Sequence, residues 1–134
     1  MKSFFYTLMS VVIIVLSSTA QSAVTKEHFT EARYNELRES GAVFLVDVYA
    51  TWCPVCAKQQ DVLVTYGKNN PELNLAVLVV DYDTDKEWVR HFRAPRQSTL
   101  LLYAGEEQLW FSVAETNYDV IANQLNKALQ TDKR

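Results

Sequence analysis

The 134-residue chain is poor in the residue types that build metal centres, disulfide frameworks and tight turns. It has two cysteines, two histidines, three prolines and three glycines. Two cysteines cannot make the multi-bridge framework of a small exported domain, which usually needs four or more. A zinc site asks for about four ligands. The single Cys-x-x-Cys supplies two, while His28 and His91 stand in separate segments with no second paired-ligand motif. No intramolecular metal site and no cofactor is expected, although a metal shared between two molecules stays open. An excess of positive charge is also missing. The 13 Lys+Arg against 16 Asp+Glu leave a net charge of −3, with no basic stripe or tail, which argues against nucleic acid as a partner. There is no internal repeat, low-complexity tract or linker, and the prolines fall only at Pro54, Pro71 and Pro95.

The longest apolar stretch, Phe4 to Leu16, falls short of the roughly 20 residues of a membrane span. Lys2 precedes it and the small residues Ser18-Thr19-Ala20 follow it, the pattern of a secretory signal peptide. Residues 1–23 are read as that signal, cleaved after Ala20 or after Ala23. Residues 24–134 then form a single domain that is periplasmic or otherwise exported. Uncleaved, the same segment would anchor the protein to a membrane. Neither cysteine lies near the cleavage site, so no lipid-modified cysteine is expected there.

What the chain does have is an ordered succession of apolar patterns. Thr25 to Ser40 reads as a helix, with Phe29, Ala32 and Leu37 among charges and Gly41 as its stop. Ala42 to Tyr49 is almost continuously apolar, as in a strand covered on both faces. A helix is expected from about Cys53 towards Gly67, with Pro54 suited to its first turn, and Asn69-Asn70-Pro71 breaks it. Leu73 to Val80 reads as a second strand, Thr84 to Phe92 as a short helix and Ser98 to Tyr103 as a third strand. A turn at Ala104–Glu107 leads into a fourth strand, Gln108 to Val113, and Tyr118 to Leu129 closes the chain as an amphipathic helix. This order predicts an α/β fold: a mixed four-stranded sheet flanked by helices on both faces.

Both cysteines sit in Trp52-Cys53-Pro54-Val55-Cys56, between the first strand and its helix. That placement puts Cys53 at a helix N-terminus and Cys56 one turn inside. Amide donors and the helix dipole there favour negative charge on sulfur, and the thiolate is the reactive form. A bridge across two residues closes a very small loop and stabilises a fold little. The pair therefore reads as a reversible dithiol–disulfide: Cys53 attacks, and Cys56 resolves the mixed disulfide. Asp47, six residues before Cys53 in an apolar strand, should be desolvated, with a raised pKa.

The order of elements, with Trp-Cys-x-x-Cys after the first long strand, resembles the thioredoxin family over about Thr25 to Leu129. Phe44 to Cys53, Val80-Asp81-Tyr82-Asp83 and Thr99 to Tyr103 carry the likeness. It implies a three-layer thioredoxin-like sandwich and a protein disulfide oxidoreductase whose only redox centre is Cys53–Cys56. It also implies that Asp47 helps move the proton of Cys56. Trp52, Pro54, Gln97 and Ser98 would meet the substrate, and Tyr49 would border the site.

Four features depart from the family pattern. Ser98 stands where a cis-proline is usual, Pro54-Val55 replaces Gly-Pro, Val79 replaces a lysine often paired with the aspartate, and Ala114 replaces a glycine. A non-proline cis bond costs about 2.5–4 kcal/mol, so the Gln97–Ser98 bond should be trans. The Ser98 N–H and hydroxyl would then be free to reach the Cys53 sulfur or a substrate. Arg93 and Arg96 flank this loop and could attract an acidic partner. The expected partners are disulfide-containing or dithiol proteins and a membrane electron donor, with the protein itself a monomer. The preferred direction is reduction of substrate disulfides. Disulfide donation is the alternative, as is a thioredoxin-fold binding or metal-carrier module without redox turnover.

Overall fold

A computed structural model describes residues 23–132, the side chains of 131 and 132 excepted. The segment read as an export signal lies outside these residues, apart from Ala23. The elements are β1 (Val24–His28), α1 (Glu31–Glu39), β2 (Val43–Tyr49), α2 (Pro54–Asn69), β3 (Leu75–Asp81), α3 (Lys86–His91), β4 (Thr99–Ala104), β5 (Glu107–Val113) and α4 (Tyr118–Asp132). No helix among the described residues is long and apolar enough to cross a membrane.

The sheet runs in the order β1-β3-β2-β4-β5, with β1, β3 and β2 parallel and β4 and β5 antiparallel. Parallel neighbours need long crossovers, and α1 and α2 supply them. Because successive side chains alternate, β2 feeds two cores at once. Phe44, Val46 and Val48 face Tyr34 and Leu37 of α1 and Val89 of α3. Val43 and Leu45 face Leu63 and Tyr66 of α2 and Ile121 and Leu125 of α4. Six of the seven β2 residues are buried, which explains the nearly continuous apolar run. Asp47 is the polar exception, and it falls on the α2 face.

The expected four-stranded sheet is corrected to five. Thr25–His28, read as the start of a helix, is strand β1, pairing in parallel with β3 from Val24↔Leu75 to His28↔Val79. Val24 and Thr25 are β-branched and suit a strand. Their signal is masked because β1 lies at the sheet edge and exposes Thr25, Lys26 and His28. The helix begins only after Thr30, whose Oγ1 accepts the Arg33 N–H at 3.2 Å as an N-cap. Arg33 also reaches back to Glu27 at 3.0 Å, tying helix to strand.

The end of α1 meets the β4–β5 turn at two glycines. Gly41 (φ 74°) and Gly105 (φ 56°) both adopt the left-handed conformation. A Cβ on Gly105 would stand 3.1 Å from the Gly41 Cα and 3.3 Å from the Arg38 carbonyl oxygen, whereas a Cβ on Gly41 would meet nothing within 4 Å. Gly41→Ala should therefore cost only the backbone term, about 1 kcal/mol, and Gly105→Ala about 2 kcal/mol or more. Urea denaturation of both variants checks this; equal midpoints would contradict the close approach.

Candidate active site

The site grows out of the C-terminal end of β2. After Tyr49 the chain turns through Ala50-Thr51-Trp52, with the Cys53 N–H donating to the Ala50 carbonyl at 3.2 Å. Cys53 is the N-cap of α2 and Pro54 opens the helix, where the proline's missing N–H costs nothing. The Cys53 sulfur takes the part a serine or aspartate oxygen usually plays in a cap. It accepts the Cys56 backbone N–H at 3.1 Å. Cys53 and Cys56 are joined as a disulfide with their Cα atoms 5.2 Å apart. Cys56 is fully buried, and Cys53 keeps 3% of its surface, so the bridge is open to solvent only on the Cys53 side. Ala50, Tyr49, Val55 and Tyr82 pack around the pair.

Trp52 and Pro54 flank the cysteines at the surface, with Trp52 57% exposed. The indole is held in place by its N–H, which donates to Asp83 Oδ2 at 2.7 Å. Asp83 stands in the turn after β3, where its backbone N–H is bound by Asp81 Oδ1 at 2.8 Å. The apolar face that Trp52 presents beside the disulfide is thus fixed from the turn that follows β3.

Asp47 is completely buried, with Val79 beside it on β3 and Leu100 on β4. Gln60 of α2 donates its Nε2–H to Asp47 Oδ2 at 2.6 Å. Burial pushes the Asp47 carboxyl up to about 6, against the Gln60 hydrogen bond and the positive charge of Lys26, which both pull it down. Val79 is the β3 residue opposite Asp47. The positive charge that acts on Asp47 comes from Lys26 on β1, in the strand that the sequence pattern did not reveal.

Ser98 is also fully buried. No peptide bond among the described residues is cis, so the Gln97–Ser98 bond is trans. The groups expected to reach the cysteines are used elsewhere. The Ser98 N–H donates to the Val48 carbonyl at 2.8 Å, and its hydroxyl donates to the Gln97 carbonyl. With no side-chain surface, Ser98 itself presents nothing at the surface; Gln97, half-buried, is the member of this pair that does. Ser98 and Ala114 both adopt positive φ (62° and 60°), and the Ala114 N–H donates to the Ser98 carbonyl at 2.8 Å. Ala114 therefore holds, as an alanine, a conformation in which glycine is unstrained.

Gln59 closes the arrangement. It is fully buried and donates to the carbonyls of Ser98 (3.1 Å) and Glu115 (3.0 Å). One side chain of α2 thereby ties the cysteine-bearing helix to both loops beside it. Gln59, Gln60 and Lys26 were not singled out by sequence, and Asp83 entered only as part of the segment that carries the family likeness. For the glutamines a signal existed: they lie three and four residues after Cys56, on its side of the helix. Arg93 and Arg96 flank the loop and are exposed. Among the described residues no three His, Cys, Asp or Glu side chains converge as a metal site.

The Ser98 geometry excludes proline as the loop now stands. Proline fixes φ near −65° and removes the N–H that satisfies the buried Val48 carbonyl. Ser98→Pro should lower unfolding stability by about 3 kcal/mol, and Ser98→Gly should not. A Ser98→Pro protein with an unchanged urea midpoint would contradict this account of the loop.

Residues 21–127 match the Thioredoxin family model. No curated protein sequence matches the chain. Among solved structures, Trxlp from Edwardsiella tarda EIB202 is 35% identical with a TM-score of 0.69, covering 74% of this chain and 96% of its own. The N21Q mutant thioredoxin from Halobacterium salinarum NRC-1 is 22% identical (TM-score 0.66; 82% of this chain, 95% of its own) and shares the fold. The same holds for mitochondrial thioredoxin 3 from Saccharomyces cerevisiae in its oxidised form, 17% identical (TM-score 0.62; 78% and 95%). With a sulfur-capped helix, a bridged cysteine pair and a buried aspartate on this sheet, the chain belongs to the thioredoxin family and is a thiol–disulfide oxidoreductase.

Proposed function

We propose that the protein works outside the cytoplasm as a reductase of protein disulfides, its electrons supplied by a membrane partner. The observation that carries the direction is the buried Asp47 on the face of the sheet covered by α2, whose carboxyl has a pKa raised to about 6. A base on that side assists the step in which Cys56 must lose its proton. Export rests on the charged, apolar and small-residue pattern of residues 1–23. An exported compartment is oxidising, so a reductant there must draw electrons from elsewhere.

The reaction starts from the dithiol. The Cys53 thiolate, favoured by the Cys56 N–H and the N-terminus of α2, attacks a substrate disulfide and expels one substrate thiolate. Cys56 then gives up its proton, with Asp47 as acceptor, and its sulfur attacks Cys53. The mixed disulfide breaks, the second substrate thiolate leaves and is protonated, and the protein is left with the Cys53–Cys56 bridge. Trp52, Pro54 and Gln97 form the surface on which the substrate segment rests. Two electrons from the membrane donor restore the dithiol.

Equilibration with glutathione tests the direction. The expected potential lies below about −230 mV; a value above about −200 mV would make the protein a disulfide donor instead.

Asp47→Asn should slow resolution of the mixed disulfide about tenfold or more between pH 6 and 9. It should also change stability with a definite sign. A carboxyl raised from about 4 to about 6 on folding stabilises the fold while protonated, and that contribution is lost as pH rises through 6. Asp47→Asn should therefore gain up to about 3 kcal/mol over the parent at pH 8 and little at pH 4. Parallel stopped-flow and urea measurements check both; an equal stability difference at the two pH values would contradict the burial argument.

A further inference from the structure

The step assigned to Asp47 needs its carboxylate held in one place and ready to take a proton. In an apolar strand a carboxylate would otherwise sit unbonded. Gln60 follows Cys56 by four residues, so the two lie on one face of α2, a turn apart. The Gln60 amide meets Asp47 Oδ2 at 2.6 Å, a short bond of the charge-assisted kind. The other carboxylate oxygen, Oδ1, is buried without a hydrogen-bond partner, and so is Gln60 Oε1. One oxygen is thus fixed and the other is left with its lone pairs free.

We propose that Gln60 is the positioning residue of the resolving step, holding Asp47 under the turn of α2 that carries Cys56 so that Asp47 can accept the Cys56 proton. The inference rests on the reading of Asp47 given above. A carboxamide suits the task because it serves both protonation states. Its N–H donates to the carboxylate, and after rotation its carbonyl can accept from the protonated acid. An ammonium offers donors only and would serve the charged form alone.

Asp47 is faced by few other charges. β1 contributes Lys26, which pulls the carboxyl down, and His28 in the row beyond Val79. β3 contributes Asp81 two residues further along the same face, and β2 contributes the phenol of Tyr49, over which the Lys26 ammonium lies at 5.2 Å. β4 contributes only Leu100. Gln60 is the hydrogen-bond donor to this carboxylate among the described residues, so its removal acts through one defined contact.

The experiment uses the full reduced chain and 5,5′-dithiobis(2-nitrobenzoate). Cys53 displaces one thionitrobenzoate, and Cys56 releases the second by closing the disulfide. The rate of the second phase is followed from pH 5 to 9 in the parent, Gln60→Leu, Asp47→Asn and the double variant. Gln60→Met, equally long and apolar, takes the place of Gln60→Leu if that variant does not fold. Loss of the amide should move the acid limb of the profile up by about one pH unit, and so slow the second phase about tenfold on that limb, with the rate at pH 9 unchanged. In the Asp47→Asn background the same substitution should do nothing. A Gln60→Leu profile superimposed on the parent's, while Asp47→Asn is slow, overturns the role of Gln60 alone. An equal slowing with and without Asp47 also overturns it. An Asp47→Asn profile identical to the parent's overturns the reading of Asp47 and this inference with it.

Discussion

The Cys56 amide donates to the Cys53 sulfur, and most of the site can be traced from that contact. It makes the sulfur the cap of α2, so the residue that starts the helix is also the one that reacts. The cap depends on where β2 ends, because the turn at Ala50 delivers Cys53 to the helix mouth. β2 is held there by apolar layers on both of its faces. Chemistry and folding share the same atoms: a sulfur that attracts an amide donor stabilises both the first turn of the helix and its own negative charge.

Around this contact the buried polar groups fall into two sets. Gln59 looks towards the loops and binds the Ser98 and Glu115 carbonyls, while Gln60 looks towards the sheet and binds Asp47. Two neighbouring residues on one helix thus separate the holding of the loops from the handling of the proton. Buried polar groups cost about 1–3 kcal/mol each when left unpaired, so both connections constrain how far α2 can shift during a redox cycle. The strained pair Ser98 and Ala114 is secured by the same Gln59. A left-handed serine costs about 1–2 kcal/mol, and the Val48, Gln59 and Ala114 hydrogen bonds offset it.

What the sequence revealed and what it hid follow from the range of each interaction. β2, α2 and the cysteine cap are local patterns: an apolar run, a helical period and a proline at N1. Asp47 was legible because a carboxylate inside such a run is unusual. β1 was not, since its partner β3 lies about 50 residues away and its outer residues are polar, so the β-branched Val24 and Thr25 did not outweigh the helical reading. Lys26 was hidden for the same reason, and Gln60 had only its spacing from Cys56 to mark it, because each matters through a residue on another element. Ser98 shows a different limit. The loss of proline was visible, but the resulting left-handed turn, with its N–H spent on Val48, depends on the facing strand.

The central claim is that the two sulfurs are unequal, Cys53 meeting the substrate and Cys56 closing the bridge behind it. Trapping tests it most directly. Single Cys56→Ser and Cys53→Ser proteins are reduced, mixed with an oxidised protein substrate, acid-quenched and weighed by mass spectrometry. The account predicts a lasting mixed disulfide with Cys56→Ser and none with Cys53→Ser. An adduct through Cys56 alone, or none with either variant, would contradict it.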